Sequence, residues 1–118
     1  MLILLRHGQT SANAQALLQG RIDLPLDDVG ANQAVKCGEF IRQQFPGAHV
    51  VSSPLQRAQQ TAQHIRHDVE IDERFIELDY GTWDGLALTE VPSDQWATWR
   101  RDPHFRPPQG ESLVELDA

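Results

Sequence analysis

Arg6-His7-Gly8 follows directly on the apolar run Leu2-Ile3-Leu4-Leu5. An imidazole can serve as nucleophile, base or ligand, and a guanidinium offers a planar fork of donors that matches phosphate. Gly8 lets the backbone turn tightly and a ligand approach closely. A second cation, Arg57, falls three residues after Pro54, in what reads as the first turn of a helix. The helix dipole disfavours a cation there, unless an anion binds against the exposed N–H groups. An anion held by arginines beside a histidine is the chemistry of phosphoryl groups. The plain alternative is a basic strand end with a solvated arginine.

The elements that must carry these residues follow from apolar periodicity. Leu2 to Leu5 predict a short strand buried on both faces, as in a parallel sheet, with Arg6 and His7 at its carboxyl edge, where open α/β sheets bind ligands. Asp27 or Asp28 begins a helix whose stripe is Ala34, Cys37, Ile41 and Phe45, stopped by Pro46-Gly47. His49 to Ser52 predict a second strand. Ser53 and Pro54 then open another helix as N-cap and first residue, with Leu55, Ala58, Ala62 and Ile65 buried and His64 and His67 at the surface. Val69 to Asp72 alternate as a third, half-exposed strand. The βαβαβ order implies parallel strands with right-handed crossovers. Pro92 opens a short helix with Trp96 and Trp99 on one face, read as a core cap ahead of a wall to a substrate entrance. Ser112 and Glu115 form a capping box.

Composition narrows the function classes. A chain of 118 residues suits one small domain, and a net charge of −7 argues against a general nucleic-acid binder. Local positive charge for a small phosphorylated substrate remains available. No apolar run approaches a membrane span and no basic region precedes a long apolar stretch; with one cysteine, Cys37, placed on a buried helix face, the expectation is a cytoplasmic protein. Neither a histidine pair at metal spacing nor a cysteine pair occurs, so the expectation is no metal and no cofactor. A P-loop is absent as well.

The wording Leu4-Leu5-Arg6-His7-Gly8-Gln9-Thr10, followed by Asn13, resembles the histidine phosphatase superfamily, the phosphoglycerate-mutase-like branch 1. Ser52 to Ala62 resemble its second signature, Pro25 to Ala34 a structural one, and Pro108-Gln109-Gly110-Glu111-Ser112 its Pro-Gly-Gly-Glu-Ser motif. The resemblance implies a three-layer α/β fold with a mainly parallel central sheet flanked by helices. The chain would be one partial domain, 1–118, incomplete at its C-terminal side. It implies His7 as the nucleophile, Arg6 and Arg57 on the transferred phosphate, and Asn13 and the Gly20-Arg21 region facing that phosphate from a loop. Arg21 either binds the distal part of a substrate or is solvated. Glu77, four residues before Gly81 as in the family, is the implied proton donor, with Asp79 as local competitor. Phosphomonoester hydrolysis through a phosphohistidine is therefore expected, on α-ribazole phosphate or with broad specificity. The short stretch between Glu77 and Pro107 favours a phosphatase over a mutase. The family's second histidine has no counterpart among His49, His64, His67 and His104. That keeps open a non-catalytic phospholigand-binding module, or a fragment that pairs with a second copy of itself.

Overall fold

The computed structural model describes residues 1–117, which fall into two compact units. The first comprises residues 1–11 and 23–76, the second residues 12–22 and those from 77 onward.

In the first unit, helix α2 (Asp28–Gln44) starts as the carboxylate pattern predicts. Asp27 is its N-cap, the side chain accepting the Gly30 N–H at 2.7 Å. The helix ends before Pro46, which cannot continue it. Strand β1 (Val51–Ser52) pairs in parallel with β2 (Glu70–Ile71), Val51 opposite Glu70, and the crossover between them is α3 (Gln56–Gln63). Leu55, Ala62 and Ile65 are buried on α3 or at its ends, while Ala34 and Ile41 are buried on α2. Gly38 lets α2 come close to the end of α3: a Cβ at Gly38 would lie 2.4 Å from the His64 carbonyl oxygen.

Several expectations are corrected here. Leu2 to Leu5 form no strand, and Leu2 and Leu4 are more than four-fifths exposed. A buried strand needs ladder partners at about 4.8 Å. Instead, this run and residues 48–53 line a shared cavity of about 450 Å³. Cys37 is exposed. The close glycine and alanine contacts at positions 30, 34 and 38 narrow the buried face of α2, and Cys37 falls beside it. Helix α3 begins at Gln56, later than Ser53-Pro54 suggested. Its first N–H is accepted by Asp23 Oδ1 at 2.7 Å, a cap from 33 residues away.

The second unit is held by aromatic rings. Helix α1 (Ser11–Ala14) stands at the chain's first passage between the units. A 3-10 turn at Gly81–Trp83 buries Trp83 to 2% exposure, and Leu78 is equally buried. Helix α4 (Ser93–Arg101) presents Trp96 and Trp99, whose rings stack at 5.0 Å. Trp96 and Phe105 flank Trp83 at about 6 Å, a range at which tilted and offset aromatic pairs attract. This is the core-cap arrangement read from the spacing of the two tryptophans. Helix α5 (Leu113–Asp117) follows a reciprocal capping box: Ser112 Oγ accepts the Glu115 N–H, and Glu115 Oε1 accepts the Ser112 N–H.

Candidate active site

Within the first unit, the Arg6-His7-Gly8 segment is irregular but closely seated. A Cβ at Gly8 would lie 2.5 Å from the Gly30 carbonyl oxygen, so only glycine allows this approach to the start of α2. The Gly8 N–H donates to Thr61 Oγ1 at 3.0 Å, and the Thr61 hydroxyl donates onward to the Arg57 carbonyl at 2.7 Å. Thr61 thereby ties the backbone of the histidine segment to the first turn of α3. Next along the chain, Gln9 bonds Asp27 through its side chain and backbone, fixing the same segment to the α2 cap.

His7 itself is half-buried. Its Nδ1 lies 2.7 Å from the Gly8 carbonyl oxygen. A carbonyl can only accept, so Nδ1 carries the proton and, in the neutral ring, Nε2 carries the lone pair. That is the tautomer an Nε2 nucleophile needs. Arg57 is 3% exposed in the first turn of α3, and Arg6 is exposed. Thr61 was not singled out by the sequence. Its signal was its place four residues after Arg57, where a threonine hydroxyl reaches back to the preceding turn's carbonyl.

Within the second unit lie Asn13, Gly20, Arg21 and Glu77. Asn13 is half-buried on α1. Gly20 is buried with φ +49°, and a Cβ there would lie 1.9 Å from Asp84 Oδ1. Arg21 donates from Nε to the Glu77 carbonyl oxygen at 3.1 Å and from Nη2 to Glu111 Oε1 at 2.8 Å. The exposed Glu77 side chain accepts the Leu78 N–H at 2.8 Å. Asp79, its local competitor, uses Oδ1 to accept the Gly81 N–H at 2.9 Å, as an Asx turn does. Glu111 also escaped the sequence reading as a site residue. Its only signal was membership of the Pro-Gln-Gly-Glu-Ser stretch.

The Asp84 carboxyl is pushed up to about 6 by burial, with the Asp79 charge adding to the rise and the backbone N–H groups of Arg21 and Tyr80 working against it. Its Oδ1 is buried without a hydrogen-bond partner, which fits a carboxyl that resists ionisation. Among the described residues, no cluster of histidine, cysteine and carboxylate side chains could hold a metal ion, and no helix is long and apolar enough to cross a membrane.

Comparison with known proteins adds three findings. The profile of the histidine phosphatase superfamily (branch 1) matches residues 2–118. Glucosyl-3-phosphoglycerate phosphatase of Mycolicibacterium vanbaalenii is 39% identical over 98% of this chain and 54% of its own length, and fructose-2,6-bisphosphatase TIGAR of Bos taurus is 36% identical over 98% and 46%. The solved structure of mycobacterial glucosyl-3-phosphoglycerate phosphatase in complex with VO3 superposes with a TM-score of 0.85 at 35% identity, covering 95% of this chain and 56% of that one. The α/β, phosphoglycerate-mutase-like fold with parallel strand pairing is thus shared with these enzymes. The chain spans 34% to 55% of the length of the curated relatives it matches.

Proposed function

The chain belongs to the histidine phosphatase superfamily (branch 1), and from that premise we propose that it hydrolyses a small phosphomonoester through a phosphohistidine on His7. The observation that carries the reading is the His7 Nδ1–Gly8 carbonyl bond, which commits the lone pair of the neutral ring to Nε2. In the first step Nε2 attacks phosphorus, an N–P bond forms, and the ester P–O bond breaks. The departing oxygen takes its proton from the Glu77 carboxyl and leaves as an alcohol. In the second step the Glu77 carboxylate takes a proton from water, whose oxygen attacks phosphorus. The N–P bond breaks, its electron pair returns to Nε2, and inorganic phosphate departs.

Arg6 and Arg57 neutralise the phosphoryl oxygens, the electrostatic contribution that dominates this class of reaction. Asn13 and the Gly20-Arg21 region face that phosphate, and Arg21 reaches the distal part of the substrate with the edge of its guanidinium that Nε and Nη2 leave over. Glu77 takes the acid role ahead of Asp79 because it stands four residues before Gly81, the family's spacing, whereas Asp79 sits two residues off that position.

The relatives' names favour phosphorylated sugar derivatives, beside which α-ribazole phosphate and broad specificity stand as substrate choices. Those relatives are phosphatases, in keeping with the short stretch that separates Glu77 from Pro107 and against a mutase. Release of inorganic phosphate from a panel of sugar phosphates, α-ribazole phosphate and p-nitrophenyl phosphate tests the reading. Turnover that rises and falls with pH, and that drops to background in His7→Gln, is expected. Undiminished turnover in that variant would refute it.

A further inference from the structure

We infer that Arg21 and Glu111 form a clamp that positions Glu77 as the proton donor, a role that rests on the hydrolytic reading above. Glu77 stands in a stretch without regular secondary structure, so no ladder or helix fixes its direction. Two groups do so instead. Arg21 Nε holds the Glu77 carbonyl oxygen, and Arg21 Nη2 reaches Glu111 Oε1. That same Oε1 accepts the Asp79 N–H at 3.0 Å, while the Glu111 backbone N–H donates to the Asp79 carbonyl at 2.9 Å.

The acid-bearing stretch is therefore gripped on both sides of Leu78, at the carbonyl of residue 77 and at both backbone groups of residue 79. The grip is backed by contacts that leave no slack. The Thr82 N–H donates to the Pro108 carbonyl at 2.9 Å. A Cβ at Gly110 would lie 2.5 Å from the Asp79 carbonyl oxygen, and one at Gly81, where φ is +59°, 2.2 Å from the Pro108 oxygen. The buried Leu78 side chain between the two gripped residues anchors the stretch, so the exposed Glu77 side chain pivots from a fixed backbone.

Arg21 suits this work better than a lysine would. Its planar fork lets Nε and Nη2 address a carbonyl and a carboxylate at once, in a fixed relative direction. A positioning residue for a proton donor has a distinctive consequence. It matters for substrates whose leaving oxygen must be protonated and hardly at all for those whose oxygen leaves as a stable anion.

The test compares kcat/KM on 2-glycerophosphate, an alkyl ester, with kcat/KM on 2,4-dinitrophenyl phosphate. Glu77→Gln sets the scale, with a loss of about 10²-fold or more on the alkyl ester and little on the dinitrophenyl ester. Glu111→Ala is expected to lose about 10-fold on the alkyl ester and less than about 2-fold on the other, at one tenth of the general-acid contribution. Glu111→Gln, which keeps an acceptor oxygen, recovers part of that loss. Arg21→Ala combined with Glu111→Ala is expected to lose no more on the alkyl ester than the worse single variant, because both break one contact network. Amide hydrogen exchange at Asp79 reports the clamp without turnover and should accelerate in Glu111→Ala.

In Glu111→Ala, equal losses on both esters, or none, or unchanged exchange at Asp79, would overturn the clamp while leaving the hydrolytic reading standing. If Glu77→Gln itself shows no dependence on the leaving group, the assignment of Glu77 fails first and the clamp goes with it.

Discussion

Gly8 and Glu77 both sit in stretches without helix or strand, yet they are fixed by different means. The His7-Gly8 stretch is fixed by close backbone approach, Gly8 against Gly30, and by one buried hydroxyl, that of Thr61, joining it to the turn that carries Arg57. The Glu77 stretch has close glycine approaches too, at Gly81 and Gly110, but it is gripped in addition by long, partly exposed charged side chains reaching its backbone. The first arrangement is rigid because close-packed backbone cannot yield without moving a helix. The second holds the backbone just as firmly but leaves the acid's own side chain exposed, so that the carboxyl pivots from a fixed base. The contrast suits the proposed division of labour. A nucleophile must keep one tautomer and one line of attack, whereas an acid must give a proton away and later take one back from water.

The largest effect that would break this contrast lies at Arg57. Arg57→Ala is expected to lower kcat/KM by about 10²–10³-fold, the usual loss when one preorganised donor to a developing anion is removed. A loss of less than about 3-fold on steady-state kinetics, against that general-donor range, would remove Arg57 from the site. Gly8→Ala comes next. Its new methyl must displace the Gly30 carbonyl, so chemical denaturation should show a loss of about 1–3 kcal/mol, as overpacking does. Gly47→Ala is the control, since nothing lies within 4 Å of a Cβ there, and it should leave the midpoint unchanged.

Thr61→Val removes the hydroxyl but keeps the shape. It strands the Gly8 N–H and should cost about 1–2 kcal/mol in the same assay, with Thr61→Ser restoring most of it. Equal tolerance of valine and serine would show that the hydroxyl link carries nothing.

Smallest, and of opposite sign, is Asp84→Asn. The folded protein holds this carboxyl near 6, above the 3.8 of an ordinary aspartate. The folded chain therefore binds more protons than the unfolded chain between those values, and stability falls as pH rises through that window. Asparagine avoids the penalty. After discounting for the partial exposure of the group, a gain of about 1 kcal/mol is expected at pH 7, vanishing below pH 4. Thermal melts of the two proteins at both pH values measure it, and a gain that persists at pH 3.5 would contradict the assignment.

What could be read from the sequence was what short range decides. Asp27 capping α2 and the Ser112–Glu115 box before α5 depend on residues three apart, and both stand as the residues indicated. The two tryptophans three apart on α4 stack for the same reason. The misreadings are all non-local. Leu2 to Leu5 have the composition of a buried strand, but a strand exists only where a partner edge meets it. Cys37 kept the helical spacing while the width of the contact was set by Gly38 and the end of α3. The start of α3 depends on Asp23, and the clamp on Glu77 depends on Glu111, each more than thirty residues away in the chain. The local motif located the candidate nucleophile and acid; the groups that hold them belong to other segments.

The central claim is that His7 carries the phosphoryl group. Brief mixing of the protein with a 32P-labelled phosphodonor such as acetyl phosphate, followed by alkaline quenching and peptide mass spectrometry, tests it most directly. The account predicts acid-labile, base-stable phosphate on the peptide containing His7 and none in His7→Gln. Label on His49, His64, His67 or His104, or phosphate release from esters with no labelled histidine at any mixing time, would contradict it.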